Sequence, residues 1–117
     1  MKQPRGNSDV TFLAVSDTHF GFGGIPAAHE VLIPKLNGIA GRAFPAPISG
    51  VVAPPRGLLV TGDLTEWGNV EEWEPFAATY GLDGGANGKL RIPVFEVVGN
   101  HDKVHGPFVE QQVIKSR

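Results

Sequence analysis

A chain of 117 residues, 41% hydrophobic and 19% charged, has room for one domain with a modest core and is too apolar for disorder. Its net charge of −2, with the ten Lys and Arg scattered, argues against nucleic-acid and membrane-surface partners, both of which select basic patches. It has no Cys, which excludes disulfides and thiolate metal sites, so any metal here is held by oxygen and imidazole.

Residues 1–9 read as a polar N-terminal tail without the apolar stretch of a signal peptide, and no run approaches membrane-spanning length, so a cytoplasmic location is expected. Residues 10–117 read as one partial domain. Val10-Thr11-Phe12-Leu13-Ala14-Val15 is a short apolar run whose length predicts a buried strand. It ends in Ser16-Asp17-Thr18-His19, followed by the Gly-rich loop Gly21-Phe22-Gly23-Gly24, which lacks the spacing of a dinucleotide fingerprint. A helix is predicted from Pro26, with Ala28, Val31, Leu32, Leu36 and Ile39 on its apolar face and a kink or break at Pro34. His29 within it reads as a solvated surface histidine. Gly41 through Arg56, crowded with Pro and Gly, is a long connection with a hairpin expected around Ile48 to Val52.

Gly57-Leu58-Leu59-Val60 is the second predicted buried strand, and it ends in Thr61-Gly62-Asp63-Leu64-Thr65-Glu66. Asn69 is a good N-cap, with Glu71 and Glu72 in the first turn of a helix whose buried face is Val70, Trp73, Phe76, Ala77 and Tyr80. Gly81 ends that helix, and Pro75 makes a restart within it plausible. Asp83 to Lys89 is a turn-rich loop. The third strand is expected around Ile92 to Val98, with Pro93 tolerated near its start, and it runs into Gly99-Asn100-His101-Asp102. Pro107 opens a last amphipathic segment carrying Phe108, Val109, Val113 and Ile114.

The order β-α-β-α-β-α predicts an α/β fold with parallel strands and helical crossovers. In such a sheet the C-terminal ends of the strands share one edge, which is where ligands bind. Asp17, His19, Asp63, Asn100, His101 and Asp102 therefore converge there, with Glu66 close by. Singly, each is an ordinary cap or turn residue. Together, their carboxylates repel unless a cation lies between them, and the mixed oxygen–imidazole set suits Mn, Fe, Zn or Ni. Asp63, the one strong ligand of its cluster, is placed to be shared between two ions, a pairing that activates water and clamps an in-line displacement.

Asp17-Thr18-His19, Gly62-Asp63-Leu64-Thr65-Glu66 and Gly99-Asn100-His101-Asp102 resemble, in letters, order and spacing, the first three sequence blocks of the calcineurin-like metallophosphoesterases. The resemblance runs from Val10 to His101, and its last block is the most specific. It implies the first half of a two-sheet β-sandwich flanked by helices. It also implies two divalent metal ions: Asp17 and His19 on the first, Asp63 bridging, and Asn100 on the second through its side-chain oxygen. His101 would contact the phosphoryl group and leaving oxygen as general acid or charge stabiliser, with Asp102 orienting its ring. A hydroxide bridging the ions would attack phosphorus in a small phosphoester, monoester or diester, and the Asp at the fourth letter of the last block leans toward small phosphodiesters.

The family pattern continues with an isolated His and then Gly-His-x-His. The histidines here are His19, His29, His101 and His105, and His105 lies too close to His101 to be either missing element. It reads instead as a loop histidine near the mouth of the pocket. The chain is thus expected to be the N-terminal half of such a domain, with its partner sheet missing, apolar surface exposed, weak metal binding and low turnover. The competing reading is a non-catalytic scaffold that keeps the fold for protein binding, against which the retained His101 argues. A nucleotide-binding α/β domain is disfavoured, since no phosphate loop follows the first strand.

Overall fold

The computed structural model describes residues 9–82 and 84–116, so most of the expected N-terminal tail lies outside the described residues. In chain order the elements are β1 (Thr11–Val15), α1 (Ile25–Asn37), β2 (Pro55–Val60), α2 (Val70–Tyr80), β3 (Val94–Glu96), a 3-10 turn (His101–Lys103) and α3 (Phe108–Lys115). The three strands form one parallel sheet in the order β1-β2-β3, the α/β arrangement expected from the alternation. No helix among the described residues is long and apolar enough to cross a membrane.

Register explains which side of the sheet is covered. Leu13, Leu58 and Val94 form one cross-strand row, and Val15, Val60 and Glu96 another on the same face. Leu58, Val60 and Val94 are fully buried there, in a core completed by Ile33 of α1, Trp73, Phe76 and Tyr80 of α2, and Val109 and Val113 of α3. The alternate row Ala14, Leu59 and Phe95 points the other way, as side chains in strands must. That face is bare: Phe12 is 54% exposed, Phe95 47% and Leu59 41%. The apolar surface expected in the absence of a second sheet is therefore present, and among the described residues there is one sheet.

Two strands are consequently less buried or shorter than their composition suggests. β1 is an edge strand whose residues alternate between half-buried and exposed, rather than a buried one. β3 spans Val94–Glu96 instead of Ile92 to Val98; Pro93, which has no N–H to give the ladder, lies just before its start. Its carbonyl still accepts from Leu58 N at 2.8 Å.

The helices follow their caps. Asn69 accepts from Glu72 N at 3.1 Å, and α2 then runs without a break through Pro75. Glu72 is buried, with its carboxylate accepting from Trp67 N at 2.8 Å and Gly68 N at 3.1 Å, so it holds the segment ahead of the cap. Val70, expected on the buried face, is 40% exposed. α1 is likewise continuous through Pro34, but its buried residues are His29 and Ile33, and Val31 is exposed. His29 is thus a core residue and not a solvated one. Its ring stacks on Phe20 at 4.6 Å, Nε2 donates to the Thr18 carbonyl at 2.9 Å, and Nδ1 accepts from the Tyr80 hydroxyl at 2.8 Å. Those partners fit the tautomer with its proton on Nε2. In the Pro-rich connection, pairing is wider than expected: Gly41 N bonds Val52 O at 2.7 Å, Val52 N bonds Arg42 O at 2.8 Å, and Phe44 N bonds Gly50 O at 3.1 Å.

Candidate metal centre

The backbone ladder between β1 and β2 continues past the ends of both strands. Asp17 N donates to Gly62 O at 3.2 Å, His19 N to Asp63 O at 3.0 Å, Phe20 N to Leu64 O at 3.0 Å and Glu66 N to Phe20 O at 2.8 Å. The Thr18 hydroxyl adds a bond to Leu64 O at 3.0 Å. Two loops that are far apart in sequence are therefore zipped side by side, and their polar residues emerge together.

The third loop is tied to them by Asp102. Its fully buried carboxylate accepts from Leu64 N at 3.1 Å, Thr65 N at 2.8 Å, the Thr65 hydroxyl at 2.7 Å and Gly99 N at 2.8 Å. A charged acceptor with that many donors holds two backbone segments together more strongly than neutral hydrogen bonds would. None of those donors is the His101 ring. The ring-orienting contact expected of Asp102 is made by Glu66 instead, to whose carbonyl His101 Nδ1 donates at 2.8 Å. Local pattern does not reveal this, since Asp102 adjoins His101 in sequence while its donors lie across the fold.

The carboxylate and imidazole residues of the first two clusters meet on this rim. His19 Nε2 lies 3.6 Å from Asp17 Oδ1 and 4.0 Å from Asp63 Oδ2, and one donor atom from each residue fits within 4.8 Å of the others. His19, Glu66 and His101 form a second such group. His19 Nδ1 is 2.8 Å from Glu66 Oε2 but not aligned as a hydrogen bond, so this buried atom has no hydrogen-bond partner among the described residues. The rings of His19 and His101 meet edge to face at 4.8 Å. Asn100 is exposed at the cap of the 3-10 turn, flanked by residues that both touch Asp63. His101 N donates to Asp63 Oδ1 at 3.0 Å, and a Cβ on Gly99 would stand 2.1 Å from that same oxygen. Ser16 Oγ donates to Asp17 Oδ2.

The backbone at these residues is unusual. Asp17, His19 and Asp63 have φ of 56°, 39° and 48°, and they are the non-glycine residues with positive φ among those described. Each such conformation costs ~1–3 kcal/mol, and strain of this kind collects where a site requires it. The proton affinity of His101 is raised above that of a free imidazole. Its hydrogen bond to the Glu66 carbonyl is the main cause, opposed by desolvation and reinforced by the charges of Glu66, Asp63 and Asp102.

The donor set fits a divalent cation: the carboxylates of Asp17 and Asp63 cluster beside His19 Nε2, and Gly99 lets the third loop pass close against Asp63. The centre is an open rim. A groove of about 840 Å³ between α1 and α2, lined by Phe20, His29, Ile33, Pro75 and Arg91 among others, contains none of the candidate ligands. His105 joins neither ligand group; it is exposed and stacks on Trp67.

Residues 10–116 match the sequence model of the family described as calcineurin-like phosphoesterase. No curated protein and no solved structure matches the chain.

Proposed function

Because this chain belongs to the calcineurin-like phosphoesterase family, we propose that it hydrolyses a small phosphoester at a pair of divalent cations held on the rim of its sheet. Asp17, His19 and Asp63 would hold the first ion, and Asp63 with the Asn100 side-chain oxygen would hold the second. The two oxygens of Asp63 are suited to separate duties, since Oδ2 faces His19 Nε2 while Oδ1 accepts from His101 N. The donor set suits Mn, Fe, Zn or Ni. When bound, such ions lower the pKa of water and neutralise the charge of the phosphoryl group.

The remaining chemistry falls to His101. Its Nδ1 proton is committed to the Glu66 carbonyl, which leaves Nε2 as the ring atom open to substrate. That hydrogen bond favours the imidazolium, and Nε2 would then carry a proton to give to the leaving oxygen as general acid. Asp102 serves that step through the backbone, by keeping the turn that carries His101 against residues 64 and 65.

The observation that carries this reading is the meeting of Asp17, His19 and Asp63, all held in left-handed backbone, with donor atoms within 4.8 Å. Titration with Mn by calorimetry, paired with hydrolysis of bis(p-nitrophenyl) phosphate, tests it. Mn-dependent turnover lost together with Mn binding in Asp63→Asn is the expected result. Metal-independent hydrolysis, or turnover unaltered in Asp63→Asn, would overturn it.

A further inference from the structure

Beside the ligand cluster stands an aromatic pair with no part in holding metal. Trp67 is 46% exposed, whereas the other tryptophan, Trp73, is buried in the core at 6%. Its ring lies nearly parallel to that of His105, with centroids 5.9 Å apart and an interplanar angle of 18°. Leaving an indole in water forgoes the burial that usually stabilises it, so a rigidly held, exposed tryptophan at a reaction rim is a binding feature to explain.

The hold is on the backbone, which leaves the ring free for other contacts. Trp67 N donates to Glu72 Oε2 at 2.8 Å, and its carbonyl accepts from His105 N at 3.0 Å. The preceding carbonyl, that of Glu66, accepts from His101 Nδ1 at 2.8 Å. Two consecutive carbonyls thus position the acid histidine and the stacked histidine. Gly68 closes the arrangement, since a Cβ there would lie 2.5 Å from the Asp102 carbonyl. Hydrogen bonds to adjacent carbonyls therefore tie the segments that carry the aromatic pair and His101 to one another.

We propose that Trp67 and His105 form a stacking platform that selects phosphoesters carrying a planar aromatic group close to phosphorus, such as aryl or nucleoside esters. The proposal rests on the phosphoesterase reading above. A flat ring seated on the platform sets the ester oxygen toward His101. Water adds its oxygen to phosphorus and releases one proton to solvent, the bond from phosphorus to the ester oxygen breaks, and the departing oxygen takes the Nε2 proton of His101, which His101 regains from solvent. Stacking of this kind is tolerant of ring identity, because every aromatic ring presents a π-face.

The test has a binding arm and a kinetic arm. In metal-free protein, adenosine 5′-monophosphate is titrated against intrinsic fluorescence, with ribose 5-phosphate and phenyl phosphate in parallel. Quenching by the two aromatic ligands but not by ribose 5-phosphate, lost in Trp67→Phe to the level of buried Trp73, is the expected result. Response to adenosine 5′-monophosphate alone narrows the class to nucleosides, and response to both aromatic ligands keeps it broad. In the Mn-loaded protein, the ratio of KM for methyl phosphate to KM for phenyl phosphate should fall roughly 5- to 100-fold in Trp67→Ala, with partial recovery in Trp67→Phe. An unaltered ratio, or fluorescence indifferent to aromatic ligands, would overturn the platform. Absence of hydrolysis with every ester and metal would instead sink the phosphoesterase reading, while the fluorescence arm still reports on stacking.

Discussion

His29 Nε2 donates to the carbonyl of Thr18 at 2.9 Å, and Thr18 is the residue between Asp17 and His19. A buried histidine of α1 therefore props the backbone of the loop that carries two of the three clustered ligands, and Tyr80 of α2 fixes that histidine from its other nitrogen. Replacing His29 by Ala leaves the Tyr80 hydroxyl and the Thr18 carbonyl without these partners and opens a gap against Phe20. A loss of about 2–4 kcal/mol in urea unfolding is expected, with weaker Mn binding by calorimetry. Stability within ~0.5 kcal/mol of the parent would show that the prop is dispensable.

Burial pushes the Tyr80 hydroxyl up to about 12 from its ordinary 10.0. The unfolded chain ionises this group first, so the stability it supports is intact below pH 10, falls as pH rises from 10 to 12, and is then exhausted. The loss amounts to ~2–3 kcal/mol. Thermal unfolding followed from pH 8 to 12 should show this decline in the parent protein and a flatter profile in Tyr80→Phe.

Asp102 acts as a staple, so Asp102→Asn should be felt in stability before chemistry. The amide presents an NH₂ group where the carboxylate met the backbone donors Leu64 N, Thr65 N and Gly99 N. A destabilisation of about 2–4 kcal/mol in denaturant unfolding is expected.

Glu66 makes a different prediction. Its carboxylate lies 2.8 Å from His19 Nδ1, the ring atom turned away from Asp17 and Asp63, while its carbonyl holds His101. Glu66→Gln removes the charge and keeps the carbonyl, so Mn affinity should drop by roughly 10- to 100-fold. The fold should tolerate the change, with circular dichroism and the unfolding midpoint close to the parent's.

Gly99→Ala probes close approach. The new methyl would meet Asp63 Oδ1 at 2.1 Å and Asp63 N at 2.4 Å, and neither the backbone nor the carboxylate can yield without moving the ligand. Loss of Mn binding in a protein that still folds cooperatively is the expected calorimetric outcome.

Much of the rim was legible because apolar runs and their polar ends are local features. The parallel strands, the Asn69 cap and the meeting of Asp17, His19 and Asp63 follow from composition plus the topology of alternating strands and helices. His29 was misread as a surface residue because its burial is decided by Tyr80 and Thr18, which no spacing within α1 reveals. The exposure of β1 was hidden for a related reason. Phe12 and Leu13 look alike in sequence, but only one face of the sheet carries helices. The division of labour between Asp102 and Glu66 depends on which backbone N–H groups face each carboxylate, a property of the folded loops alone.

The Pro-rich connection between α1 and β2 closes on its own backbone, through the bonds of Gly41 and Arg42 with Val52 and of Phe44 with Gly50. Its ends are brought together by contacts within itself, and none of its residues belongs to a ligand group. It is thus a natural place for the chain to gain or lose length. A foreign segment spliced near Ile48 should leave the distances among Asp17, His19 and Asp63 intact, which makes this connection the grafting point of the fold.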